Sequence, residues 1–265
     1  RSTRFAVPQL WQEYVSQFPK PFVEGVFDPK SFVADYSSSH VQSTESPERE
    51  KNISPIPYAK MSDNNNQFSL STAKEKLEAS ANAIRGIIGG PFEWCEVPSG
   101  EFLYGENYQK LTLPAFAIAK YPVTYGQFQK FANATDGFID DRWWQGLAQR
   151  FDKPSEQRYS IDHHPRENVN CYEAVAFCRW ISWTLDSSYD LTQVNNWAVR
   201  LPSEHEWEKA ARGTDGRLYP WGNWFDPNNC NSNETNNMRT TPVTQYSHAA
   251  SPFGVCDMVG NVWEW

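Results

Sequence analysis

Two carboxylates near the end of the chain, Asp257 and Glu264, are separated by Gly260 and Asn261 in the run Phe253-Gly-Val-Cys-Asp-Met-Val-Gly-Asn-Val-Trp-Glu-Trp265. Glycine and asparagine let a backbone turn tightly and aim its carbonyls, and carboxylates gathered by such a turn can wrap a hard cation such as calcium. Glu264 lies between Trp263 and Trp265. A carboxylate flanked by two large apolar rings is expected to lose solvent on folding, which is costly unless a cation or hydrogen-bond donors compensate it. The competing reading is a tight turn in which Asp257 caps backbone amides.

Other candidate groups carry less chemistry. His163 and His164 are adjacent in a loop, so they point apart, and no third ligand stands at a diagnostic metal spacing. Glu204, Glu206 and Glu208 fall in one short helix, where one serves as a cap and the others are expected to face solvent. The five cysteines, Cys95, Cys171, Cys178, Cys230 and Cys256, form no CxxC pair. An odd number cannot all pair within one chain, so buried free thiols and a cytoplasmic location are expected. Neither a GxSxG nor a GxxxxGK[ST] sequence is present.

The elements that must position these groups follow from the rest of the chain. Its 265 residues are 39% hydrophobic and include 12 Trp, 18 Pro and 14 Gly, which suits a loop-rich fold held by aromatic clusters. A net charge of −8 argues against general electrostatic affinity for nucleic acid or anionic membrane. Residues 1–36, rich in aromatics and proline, read as a docking segment or the end of an upstream element, with a short helix before Pro19. Residues 37–70 read as a polar linker. Over 71–90 an amphipathic helix is expected, opened by the capping-box spacing of Thr72 and Glu75 and closed by Gly89-Gly90.

Beyond it, Glu93 to Gly105 and Leu111 to Ile118 read as strands, the second marked as an edge by Pro114. Thr124 caps a helix carrying Phe128 and Phe131. Phe138 to His164 reads as a long polar loop whose Asp140-Asp-Arg-Trp-Trp144 is richest in potential contacts. A helix over Asn170 to Trp183 follows, with Asn170 and Glu173 at reciprocal cap positions. The last helix, Ser203 to Ala211, is capped by Ser203 and Glu206 and ended by Gly213.

Arg200-Leu-Pro-Ser-Glu-His-Glu-Trp-Glu-Lys-Ala-Ala-Arg-Gly213, then Tyr219-Pro-Trp-Gly222, Thr241-Pro-Val243 and the run 253–265 resemble, in that order, the formylglycine-generating-enzyme (sulfatase-modifying factor) family. The resemblance starts near Glu93 and stops in mid-motif at Trp265. It implies an α+β fold of the C-type-lectin-like kind with little regular secondary structure over 91–265, incomplete at its C-terminal side. This fold is shared with sulfoxide synthases and with the variable proteins of diversity-generating retroelements. Tyr125 departs from the Asn usual after Pro122-Val-Thr, and Cys171 stands where a Trp is usual; the family's long loop covers the ligand groove.

The resemblance also implies two structural calcium sites. Asp257 and Glu264 would give side-chain oxygens and Gly260 and Val262 carbonyls to one. In the shorter loop Cys230-Asn-Ser-Asn-Glu-Thr-Asn-Asn237, Asn231 and Glu234 would give side chains and Ser232 and Asn237 carbonyls to the other. There a hydrogen-bonded turn rich in Asn stands as the alternative. The copper-binding cysteines of the enzymes and the iron-binding histidines of the synthases map onto no residue here. Two functions therefore stand open. One is a non-catalytic module binding a protein or peptide ligand and completed by the C-terminal remainder of its domain; the other is a metal-dependent oxidase whose catalytic residues lie beyond Trp265. The short loops favour the binding reading.

Overall fold

The computed structural model describes Arg4, residues 6–8, 70–188 and 198–265. The helix expected before Pro19 lies outside the described residues, as does the linker expected over 37–70 except for Leu70. At Leu70 the first helix, α1 (Leu70–Ile88), already begins. Thr72 therefore stands inside α1 and does not cap it, while the C-terminal end is as expected, with Gly89 at φ 83° donating its N–H to the Arg85 carbonyl at 2.9 Å.

Four short strands follow: β2 (Trp94–Val97), β3 (Gly100–Tyr104), β4 (Gln109–Leu113) and β5 (Phe116–Ala119), preceded early in the chain by β1 (Ala6–Pro8). Each stretch expected as one strand is thus broken in two. The breaks fall at Pro98 and Pro114, because proline offers no N–H to a ladder. β3 and β4 form a hairpin in which Phe102 faces Leu111. The other three make an antiparallel sheet ordered β1-β5-β2. Pro114 therefore separates β4, which pairs with β3 alone among the described residues, from β5, where the edge expected of this stretch does not hold. β5 is the central strand, with Ile118 paired to Ala6 on one side and Cys95 on the other, and all four of its residues are buried.

Three helices share one core cluster with Ala117 and Ala119 of β5. α2 (Tyr125–Asn133) starts at a complete Thr124–Gln127 capping box. α3 (Cys171–Ser188) starts where Asn170 Oδ1 accepts the Glu173 N–H at 3.0 Å and Glu173 Oε2 accepts the Asn170 N–H at 2.9 Å. Apolar residues line most of α3: Ala174, Val175, Ala176, Phe177, Cys178, Trp180, Ile181 and Leu185 are all buried. Its rings meet α2 through Phe128–Phe177 at 5.2 Å and Phe131–Trp180 at 5.4 Å. Each such fully buried Phe contributes about 2–3 kcal/mol. The loop after α2 also feeds this core. Trp143 and Trp144 are 1% and 4% exposed, and their indoles donate to the carbonyls of Asp136 and Phe138 at 2.7 and 2.8 Å. Those two rings hold the loop down, so the contacts of Trp143 and Trp144 are made within the chain.

The last helix, α4 (Glu204–Arg212), has a Ser203–Glu206 capping box and ends at Gly213. Ala210 and Ala211 seat it on a second core cluster of Cys95, Val97, Phe116, Ile118, Val255 and Met258. This second cluster is where the C-terminal run enters the fold. The architecture is thus mixed: helices and two small antiparallel sheets, with the remainder in turns.

Candidate functional site

The C-terminal run has no long regular element of its own, so its shape is set by side-chain and backbone groups that reach it from other parts of the chain. Asn261, at φ 57°, is the centre. Its N–H donates to the Asn231 carbonyl at 2.8 Å, and its Oδ1 accepts from the Thr241 N–H at 2.9 Å and from Asn231 Nδ2 at 3.2 Å. Its Nδ2 donates to the Thr241 carbonyl at 3.1 Å and to Asp257 Oδ2 at 2.7 Å. Gly260 pairs with Asn231 in an isolated parallel bridge. The two oxygen-rich loops are therefore one cluster. Asn261 was read only as a turn former; its amide, with both donors and its acceptor used, is what joins the loops.

Within loop 231–237 the amide and threonine groups bond to one another, while the buried Ser232 hydroxyl is left without a hydrogen-bond partner. Asn231 Oδ1 accepts from Asn237 Nδ2 at 3.0 Å and Thr235 Oγ1 at 3.2 Å, and the Ser232 carbonyl accepts from Thr235 Oγ1 at 2.7 Å. Glu234 is exposed. Loop 257–264 is different, because its carboxylates are buried. Asp257 Oδ1 is buried without a partner, and burial pushes this carboxyl up to about 7 despite the Asn261 donor.

Glu264, only 3% exposed in its side chain, is compensated by donors. Arg4 Nε donates to Oε2 at 2.8 Å and Arg4 Nη2 to Oε1 at 2.9 Å, and the Trp207 indole of α4 donates to Oε2 at 2.9 Å. The remaining guanidinium hydrogens go to the carbonyls of Ala119, Lys120 and Cys256 at 2.8, 2.9 and 2.9 Å. All five N–H groups of a side chain that is 0% exposed are thus used. Burial by itself would lower the Arg4 pKa, but the Glu264 charge outweighs it and holds the guanidinium charged. The flanking tryptophans do something other than enclose Glu264. Trp263 is 82% exposed, while Trp265 points into the core and donates to the Val169 carbonyl at 2.7 Å.

As a calcium cradle the four expected ligands of loop 257–264 divide. Asp257 Oδ1 fits a cation; the oxygens of Glu264 are covered by a guanidinium and an indole, and the Gly260 carbonyl accepts the Val262 N–H at 2.7 Å. Among the described residues no three His, Cys, Asp or Glu side chains are grouped so as to hold a metal. His164 is buried with Nδ1 2.9 Å from Thr240 Oγ1, while the adjacent His163 uses its carbonyl to accept the Val243 N–H. Cys95, Cys178, Cys230 and Cys256 are buried; burial pushes the Cys95 thiol up to about 11 and raises the other three. Such thiols are poor nucleophiles at neutral pH.

Glu206 caps α4 as expected, and it is also only 7% exposed because Arg200 takes both of its oxygens at 2.6 and 2.7 Å. Lys209, in the middle of α4, is 0% exposed and donates to the carbonyls of Pro98 and Gly100 at 2.7 and 3.0 Å. Pro98 lies in the gap between β2 and β3, and Gly100 is the first residue of β3.

A separate aromatic surface forms at 218–225. The Tyr219 and Trp221 rings stack at 5.5 Å, and Phe225 lies 5.8 Å from Tyr219. Reciprocal backbone bonds between Tyr219 and Gly222, and Trp221 Nε1 donating to the Trp224 carbonyl at 2.9 Å, fix the turn. Trp224 is 86% and Leu218 56% exposed.

Short capped helices on small antiparallel sheets, tied by an Asn- and Trp-rich terminal turn, define a class of loop-rich mixed domain. Residues 92–265 match the model of the sulfatase-modifying factor enzyme 1-like domain. The chain therefore belongs to this formylglycine-generating-enzyme–sulfatase family. It is similar to the formylglycine-generating enzyme of Bos taurus, 24% identical over 74% of this chain and 64% of the relative. It is also similar to the inactive C-alpha-formylglycine-generating enzyme 2 of Mus musculus, 27% identical over 64% of this chain and 66% of the relative. The hercynine oxygenase of Mycobacterium tuberculosis is 32% identical over 58% of this chain and 37% of the relative. The chain thus spans less than two thirds of the length of each of these relatives.

Proposed function

We propose that the chain is a non-catalytic binding module, a family scaffold that presents aromatic side chains to a protein or peptide ligand. The observation that carries this reading is the surface at 218–225, where the Tyr219, Trp221 and Phe225 rings contact one another, the Trp221 indole donates to the Trp224 carbonyl, and the Trp224 ring beside them is left 86% exposed. Large aromatics kept rigid and in water are what binding surfaces are enriched in, since they bring contact area at little entropic cost. Two further points support it. Four of the five thiols are buried and protonated, and the family includes a relative whose name marks it as inactive.

The second reading, a metal-dependent oxidase completed by residues after Trp265, draws on the formylglycine-generating enzyme and hercynine oxygenase among the relatives. The proposal also keeps the protein in a reducing compartment, which five free cysteines suit. No described helix is long and apolar enough to cross a membrane. Panning a displayed peptide library against the complete protein tests the binding reading. Peptides are expected whose affinity weakens at least about tenfold in Trp221→Ala or Trp224→Ala. Selected peptides that bind both variants as tightly as the parent would remove the assignment of this surface.

A further inference from the structure

We infer that Arg4 is the cation of loop 257–264: its guanidinium holds the Glu264 carboxylate that a calcium ion at this loop would need, and it closes the loop without a metal. Both Glu264 oxygens are engaged by Arg4, at 2.8 and 2.9 Å, in the parallel two-point pairing a planar guanidinium makes with a carboxylate. The Trp207 indole takes a further lone pair of Oε2 at 2.9 Å. The pair is 0% and 3% exposed, so its charges neutralise each other out of water.

A divalent ion on Glu264 would have to displace Arg4 or sit beside it. Displacement strands a buried guanidinium whose other donors are fixed on the carbonyls of Ala119, Lys120 and Cys256. Co-occupancy sets three positive charges against Glu264 and Asp257 in a region with little water, where like charges repel strongly. Arg4 also does mechanically what a bridging ion does. It ties the turn at 256–264 to the end of β5, and it comes from the segment that adds β1 to the same sheet. The start of the chain thereby completes a motif 260 residues away.

Thermal melting of the complete protein in excess calcium and in chelator tests this, together with terbium luminescence sensitised by nearby tryptophan. The wild type is expected to melt at the same temperature in both conditions. Arg4→Ala is expected to melt about 5 °C or more lower, to recover part of that loss in calcium, and to gain terbium luminescence that Arg4→Ala/Glu264→Gln lacks. Should Arg4→Ala not fold, Arg4→Lys is read in the same way, since an ammonium cannot hold both oxygens in the plane. A calcium response of the wild type that survives in Glu264→Gln and is lost in Glu234→Gln puts the ion on the other loop and agrees with the assignment. A wild-type calcium response lost in Glu264→Gln overturns it, as does an Arg4→Ala protein that melts like the wild type or ignores calcium.

Discussion

Glu206 illustrates how one carboxylate holds several backbone and side-chain groups. It accepts from the Ser203 N–H at 2.8 Å, from Ser203 Oγ at 3.1 Å and from both ends of the Arg200 guanidinium. Burial pushes its pKa up, but the Arg200 charge and these donors outweigh burial and the net shift is downward. A carboxyl with a lowered folded pKa stabilises the fold above its unfolded pKa, and that stability is lost as pH falls through the folded value. Glu206→Ala is therefore expected to cost about 3 kcal/mol at neutral pH, since it strands Arg200 and a helix N-terminus. The wild-type advantage should shrink as the pH drops below the ordinary glutamate range. Urea unfolding of both proteins between neutral and acidic pH measures this, and a pH-independent difference would assign the effect to packing. The cap at Glu206 was legible because Ser203 lies three residues away. Its burial was not, because nothing local distinguishes a Glu that meets Arg200 from one that meets water.

At the scale of elements, helix caps were legible for the same reason, since Thr124–Gln127, Asn170–Glu173 and Ser203–Glu206 each close within one helical turn. Strand order was not, because β5 becomes central only when β1 arrives from the far N-terminal end. The joint between the two oxygen-rich loops is likewise non-local, and Gly260 shows what it demands. A Cβ at Gly260, where φ is 76°, would lie 2.3 Å from the Asn231 carbonyl oxygen and 2.9 Å from its carbon. Both atoms belong to backbone and cannot swing away. Gly260→Ala is expected to destabilise by about 2 kcal/mol or more, whereas Gly105→Ala, at φ 67° with nothing within 4 Å, should cost only about 1 kcal/mol of conformational strain. Denaturant midpoints of the two variants decide the matter, and equal losses would mean that the loops are not in contact at Asn231.

Across the whole molecule, family membership was legible from motif order, since Arg200–Gly213, Tyr219–Gly222, Thr241–Val243 and 253–265 are short, local and rich in Trp, Gly and Asn. What fills the terminal turn was not. The charge opposite Glu264 is supplied by Arg4 from within Arg1-Ser-Thr-Arg-Phe, a stretch with no motif of its own. The same limit applied to the cysteines, whose spacing showed no metal motif but whose raised pKa values depend on burial in assembled cores. Together these features describe a scaffold whose reactive groups are folded inward and whose aromatic groups at 218–225 face out. The most direct test of that account is mass spectrometry of a cysteine-containing peptide incubated with the complete protein, copper, oxygen and a thiol reductant, beside a control without protein. The account predicts that no peptide aldehyde forms beyond the control, whatever disulfide copper and oxygen make of the thiol by themselves. Catalytic conversion of that thiol to an aldehyde would contradict it and establish the oxidase.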